Sequence, residues 1–284
     1  MSIARYQIVQ LASGVNSVRS LAEMETFHPV IGPVAEAEAL YVKQLNLIER
    51  VRQQAGEFVV WDVGLGAAAN ALTILRATRR IPCSIRLVSF DHTVEPLIFA
   101  LHHKTELGYL DGYEERCLEL IGRQQATFKD ENQMVEWELR LGDFPTLLDQ
   151  PLAQAWPKPN AILFDPFSPA RNPVMWKQPL FTTLFSLLDP AKPCALPTYS
   201  RSTMLRVTLL LAGFFVGAGH PTGEKEETTI AANTLNLITE PLDHRWLRRV
   251  RNSTSAEPLW EPVYRQAPLS PATWQRLQNH PQFK

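Results

Sequence analysis

The sequence predicts an α/β fold: a mostly parallel sheet of seven strands, helices on both faces, and an antiparallel strand closing one edge. Three observations predict it. First, apolar, β-rich runs at 58–61, 85–90, 135–141 and 161–164 each lead into an acid: Asp62, Asp91, Asp143 and Asp165. Runs of this kind suit parallel strands buried on both faces, with the 135–141 run alternating as if half-buried. Second, helical stretches lie between the runs, the alternation that builds βαβ units. Third, residues 214–217 and 228–232 read as a closing antiparallel pair around the polar segment 223–227.

The whole chain bounds the problem. Its 284 residues can bury a substantial core, as one large domain or one domain with an appendage. The formal net charge of −1 gives no bulk attraction to nucleic acid, so any RNA contact must come from a local patch. Cys83, Cys117 and Cys194 stand far apart and fit neither metal nor disulfide spacing. They read as small core residues in a reducing compartment. MSIARYQIVQ has no signal-peptide character, and the apolar run near Leu209 is too short and interrupted to span a bilayer. A cytoplasmic protein without membrane or metal is expected.

Taken in order, the chain begins with β-like pieces at 6–9 and 16–21 around Ala12-Ser13-Gly14, an expected hairpin. Two prolines and a glycine make 27–33 a loop. Residues 34–54 read as one amphipathic helix. The first buried strand then enters Asp62, the glycines Gly64 and Gly66, and an alanine-rich helix reaching about Arg79. A helix is expected over 94–107, where adjacent His102 and His103 suit the helix C-terminus better than a metal. The polar stretch 108–132 reads as a helical insertion, and a helix over 144–154 follows Asp143, a good N-cap type. After Asp165, prolines hold a rigid, extended loop that runs into a helix near Trp176. Residues 195–200 read as a strand and 202–212 as a helix ended by Gly213. From about 240 the chain reads as irregular. There 244–251 packs four arginines around Trp246, and five prolines follow. The cluster suits RNA phosphates with Trp246 stacking on a base, or equally an ordinary solvated helix face.

The stretch DVGLGAAANAL is a strand–turn–helix site for a nucleotide-like cofactor. Gly64-x-Gly66-x-x-Ala69 satisfies the dinucleotide fingerprint. Asp62, two residues before the first glycine, argues otherwise. A carboxylate repels a pyrophosphate and attracts the ammonium of a methionine moiety. Asp62-x-Gly64-x-Gly66 resembles the first motif of class I S-adenosyl-L-methionine (SAM) methyltransferases. Asp91 lies 25 residues beyond Gly66 and suits ribose hydroxyls under either reading. Asp143 and Phe144 suit an adenine, one accepting from its amine and the other covering a ring face. Asp165, at a strand end beside the cofactor, can orient a methyl acceptor; the competing reading is that it caps a helix or pairs with Arg171.

Together these residues resemble the methyltransferase half of the MnmC-type family of bifunctional tRNA wobble-uridine enzymes. The likeness runs from about Pro29 to Asn233. It is carried by GPVAEAEALYV, DVGLGAAANAL, GDF and above all LFDPFSPARNPVMW, with TYSRSTMLRVTLLLAGF and the hairpin from Lys225 to Ala232 in support. Two departures stand out: Ala67 and Ala68 replace the family's usual Thr-Gly, and Pro166 and Ser168 replace Gly and Ala in its Asp-Gly-Phe-Ala-Pro.

The resemblance implies a Rossmann-like class I fold and methylation by SAM of the amine of 5-aminomethyl-2-thiouridine in tRNA. It implies cofactor contacts from Asp62, Gly64, Gly66, Asp91, Asp143 and Phe144, with Asp165 catalytic at the acceptor. Phe167, Arg171, Arg248 and Arg249 are the further candidates for substrate contact. The family's flavin-dependent oxidase half is expected to be absent, so the activity that prepares the amine is expected in a separate oxidoreductase, or the substrate differs. The expected organisation is an N-terminal extension over 1–54, the methyltransferase domain over 55–239 and a proline-rich tail over 240–284. A small-molecule amine as acceptor, an NAD-binding oxidoreductase, and a non-catalytic RNA-binding module are the rival functions.

Overall fold

The computed structural model describes residues 5–223 and 226–284. Glu224 and Lys225, in the connection of the closing hairpin, lie outside the described residues, as does the start of the chain through Ala4. The N-terminal hairpin is present as β1 (Tyr6–Gln10) and β2 (Asn16–Ser20), and a short β3 (Glu25–Thr26) extends it to a three-stranded antiparallel sheet.

The expected helix over 34–54 is divided. It comprises α1 (Pro33–Ala37), a wider π turn over Glu38–Lys43, and α2 (Leu47–Gln53). The break falls at Asn46, whose φ of 48° is left-handed. Asn tolerates that region better than most residues, and a helix cannot pass through it.

The main sheet is built from β4 (Glu57–Val63), β5 (Cys83–Asp91), β6 (Gln125–Asp130), β7 (Gln133–Leu141), β8 (Ala161–Phe164) and β9 (Ala195–Thr198), completed by β10 (Phe215–Gly219), β11 (Thr228–Ala232) and β12 (Glu240–Pro241). Its order is β12-β10-β11-β9-β8-β4-β5-β7-β6. The seven expected strands form the middle of this sheet, with β4, β5, β7, β8 and β9 in parallel. The antiparallel β11 is inserted between β9 and β10 rather than standing at the edge. Two strands were not foreseen. β12 pairs with β10 at one end, and β6 pairs antiparallel with β7 at the other. β6 lies in the stretch where a helical insertion is expected; its alternating buried and exposed residues, QATFKD, are too short and polar to announce a strand.

Strand parity sorts side chains between two cores, as a period of two requires. From β4, Phe58 and Val60 join the core under α1, α2 and α3 (Ala69–Thr78), together with α4 (Glu95–His102), α5 (Lys104–Leu107) and α6 (Glu114–Arg123). Val59, Trp61 and Val63 enter the opposite core with α7 (Phe144–Leu148), α8 (Gln178–Ser186) and α9 (Thr203–Ala212). The C-terminal segment is not irregular. It forms α10 (His244–Val250) and α11 (Pro271–Gln278), whose Trp246, Leu247, Val250 and Leu277, with Phe283, fill that second core. Apolar residues spaced over two short helices were hidden among the prolines and arginines that dominate the composition there.

Candidate active site

The parallel strands deliver their carboxyl ends to one edge, where ligands bind in open α/β sheets. A cavity of about 770 Å³ opens there, lined by the β4–α3 turn, Asp91, Asp143, the loop after β8, and the N-terminal sheet.

The glycine turn forms because its geometry excludes side chains. Gly64 has φ 96°, and a Cβ there would stand 3.0 Å from the carbonyl oxygen of Asp165. Gly66 has φ 52°, and a Cβ would meet the Phe27 ring at 3.2 Å. Ala68 is left-handed as well, with φ 62°, at the N-cap of α3. It carries a conformation in which the family's usual glycine has no steric penalty.

Asp91 ties this turn to the next strand. Its Oδ2 accepts from the Gly66 amide at 2.9 Å, and its Oδ1 from the His92 amide at 2.8 Å. The bond to Asp91 raises the His92 pKa against the lowering effect of burial. Asp91 Oδ1 also accepts from the Thr93 amide at 3.3 Å. Each carboxylate oxygen carries two acceptor sites, so the capacity left for a ribose hydroxyl lies on Oδ2. Asp143 N-caps α7, accepting from the Thr146 amide at 3.2 Å and its hydroxyl at 2.6 Å. It also lines the cavity, as does Phe144, whose ring meets Phe90 edge-on at 5.0 Å. The capping role and the cavity position coexist.

Asp62 is placed differently from the sequence expectation. It is fully buried and lies behind the cavity wall rather than on it. Parity is the reason: Asp62 alternates with Val63 and shares the side of Phe58 and Val60. Its Oδ2 accepts from the Ser89 hydroxyl at 2.8 Å, and Ser89 accepts from Trp137 Nε1 at 2.9 Å. Oδ1 has no hydrogen-bond partner among the described residues. Burial pushes the Asp62 carboxyl up to about 7, opposed by the Ser89 bond and reinforced by Asp165 and Asp91.

Asp165 stands at the end of β8 in a clamped loop. Asn70, in the first turn of α3, donates to its Oδ2 at 2.8 Å, and His28 Nε2 lies 3.6 Å from the same oxygen. The loop carbonyls are held by Tyr199, whose hydroxyl donates to Pro166 at 3.2 Å, and by Trp176, whose Nε1 donates to Phe167 at 2.8 Å. Ser168 donates its amide to Glu25 at 3.0 Å and its hydroxyl to the same carboxylate. Phe167 packs on Phe27 with centroids 5.5 Å apart. Arg171 lines the cavity and is exposed.

Arg248 and Arg249 do not line this cavity. They are exposed on α10 and share a shallow cleft with Asp243 and Arg245. Trp246 is buried and stacks on Phe283 at 6.2 Å, so it is not presented to a base. Among the described residues no cluster of three His, Cys, Asp or Glu could hold a metal ion. No helix there is long and apolar enough to cross a membrane.

Sequence reasoning missed Glu25, Phe27, His28, Asn70 and Tyr199, all of which line the cavity. Asn70 left one legible signal, an amide side chain inside an otherwise apolar helix start. Residues 25–28 left none, because only the tertiary fold brings the N-terminal sheet over the strand ends.

A family model described as S-adenosyl-L-methionine-dependent methyltransferase matches residues 109–234. The tRNA 5-methylaminomethyl-2-thiouridine biosynthesis bifunctional protein MnmC of Methylibium petroleiphilum is 28% identical over 228 residues, covering 78% of this chain and 34% of that protein. The MnmC of Aliivibrio fischeri is 31% identical over 239 residues, covering 75% and 33%. The chain thus spans about a third of the length of these relatives. The crystal structure of MNMC2 from Aquifex aeolicus superposes with a TM-score of 0.71 at 19% identity, covering 98% of this chain and 85% of that one. The fold is therefore a class I methyltransferase fold. The family match decides between the two cofactors in favour of SAM, and the cavity fits it: glycines that admit a ligand to the backbone, carboxylates for hydroxyls and amines, and Phe144 as an apolar wall.

Proposed function

We propose that this chain, an MnmC-like SAM-dependent methyltransferase domain, N-methylates an aminomethyl group on the wobble uridine of tRNA, of the 5-aminomethyl-2-thiouridine type. The observation that carries the reading is the Asp165 carboxylate, fixed by Asn70 in the wall of the cofactor cavity. Similarity to the MnmC proteins supports the choice of acceptor.

When bound, SAM supplies an electrophilic methyl on a sulfonium. The protein's part is to hold the cofactor, hold the amine and keep its lone pair aimed, and positioning of this kind contributes most of the help in such displacements. Gly64, Gly66, Asp91, Asp143 and Phe144 hold the cofactor in this account, with Asp62 acting from beneath through its field. Asp165 is the catalytic residue at the acceptor and orients the amine by accepting an N–H. An ordinary carboxylate, with a pKa of ~3.9, is a poor base for an alkyl ammonium, so proton removal is not assigned to it.

Phe167 and Arg171 line the acceptor side. Arg248 and Arg249, on α10, serve as phosphate contacts for a tRNA body that extends beyond the cavity. A separate oxidoreductase supplying the primary amine, and a cytoplasmic location, complete the proposal. Methyl transfer to hypomodified tRNA should exceed transfer to the free aminomethyl nucleoside at equal concentration by at least tenfold. Equal rates on both would favour a small-molecule amine.

A further inference from the structure

We infer that His28 is the proton acceptor of the reaction, removing a proton from the acceptor ammonium so that the amine can attack. The inference rests on the amine-methylating reading above and adds a catalytic residue to it.

Three observations meet at this residue. His28 follows β3 in the roof of the cavity and lines it. Its side chain is only 8% exposed, and its Nε2 is 3.6 Å from the Asp165 oxygen that Asn70 also holds. Its backbone is left-handed, with φ 48°, between Phe27 and Pro29. A non-glycine residue in that region costs on the order of 1 kcal/mol and persists where the surroundings impose it. The surroundings here do so: the Phe27 amide donates to Val18 at 2.8 Å, and the Ser17 hydroxyl donates to the Phe27 carbonyl. The strained backbone carries the imidazole to the carboxylate.

The chemistry requires such a group. A primary alkyl amine is an ammonium at neutral pH and has no lone pair to attack with. An imidazole, ordinarily near ~6.5, accepts its proton far more readily than a carboxylate does. An ammonium bonded to Asp165 lies within direct or one-water reach of His28 Nε2, the range that general-base catalysis needs. The N–H bond breaks, its electron pair stays on nitrogen, and the proton bonds to Nε2 of His28. The nitrogen then forms its bond to the methyl carbon while the C–S bond breaks and its pair goes to sulfur. The charged and titratable groups sharing this part of the cavity are Asp165, Glu25, Glu36, Arg171 and Tyr199, with Asp62 and Tyr41 beneath.

The test is single-turnover methyl transfer to tRNA bearing 5-aminomethyl-2-thiouridine, at pH 7 and pH 9.5, with wild type, His28→Gln and His28→Asn. SAM affinity is measured on each by calorimetry. Both variants should lose about a hundredfold or more in rate at pH 7. Their SAM affinity should stay within about threefold of wild type, and the rate deficit should shrink at least about tenfold at pH 9.5, where solvent supplies neutral amine. A deficit equal at both pH values means a purely structural role and overturns the inference. So does loss of SAM binding in both variants, which would assign His28 to the cofactor. Wild-type transfer with unaltered variants overturns this inference alone; no transfer by the wild type overturns it together with the acceptor assignment.

Discussion

The cavity has two walls made by different physics. One is the row of strand ends, where Gly64, Gly66, Asp91, Asp143 and Asp165 stand on a sheet buried on both faces. The other is the roof, where Glu25, Phe27 and His28 come from a small antiparallel sheet that is separate from the main one. The first wall is held in place because each residue lies at or just beyond the end of a strand paired on both sides. The second is held to the first by side chains: Glu25 on Ser168, Phe27 on Phe167, and His28 facing Asp165. The difference suggests a division of labour, with cofactor binding on the strand ends and acceptor chemistry where roof and strand ends meet.

That division can be broken by mutation, beginning with the largest expected effect. Asp165→Ala should lower turnover by about a hundredfold or more while SAM affinity changes less than about threefold. Steady-state kinetics beside calorimetry read the two, and equal losses would make Asp165 a cofactor residue. Gly64→Val forces a side chain onto the Asp165 carbonyl at a left-handed position. It should cost about 1–3 kcal/mol of stability, read by urea denaturation, and weaken SAM binding as the turn deforms. Glu25→Ala should remove charge-assisted bonds worth about 1.5–3 kcal/mol in total, lowering the melting temperature by a few degrees. If the roof is an acceptor element, its loss should raise KM for tRNA more than Kd for SAM.

Asp62 sharpens the comparison through pH. Its folded pKa of about 7 lies above its ordinary 3.8. A raised acid contributes stability that is fully present below the unfolded value and lost as pH rises through the folded one. Stability should therefore fall between about pH 4 and pH 7, with a slope of up to about 1.4 kcal/mol per pH unit from this group. Asp62→Asn should flatten that slope, as chemical denaturation across the window would show. The smallest effect is expected far from both walls. Arg248→Glu with Arg249→Glu should weaken tRNA binding modestly, lower its salt dependence, and leave SAM affinity untouched.

The two walls also differ in what the sequence discloses. Strand ends are legible because burial on both faces writes apolar runs, and chemistry writes an acid after each run. The glycine turn is legible because only glycine tolerates those contacts. Asp62 is legible as an acid near a strand's end, yet its orientation depends on strand parity against two cores. β6 was lost in a polar stretch, and α10 and α11 among prolines and arginines. Trp246 illustrates the limit best: beside four arginines it suggests a stacking platform, and the fold buries it on Phe283. The roof was illegible because its role comes from contacts across 143 positions, as between Glu25 and Ser168.

The most direct test is nucleoside analysis by mass spectrometry of hypomodified tRNA incubated with the protein and SAM. One methyl group gained on the wobble 5-aminomethyl-2-thiouridine, absent without SAM and lost with Asp165→Ala, is the predicted result. Methylation at another nucleoside, or none while a small amine is methylated, would contradict it.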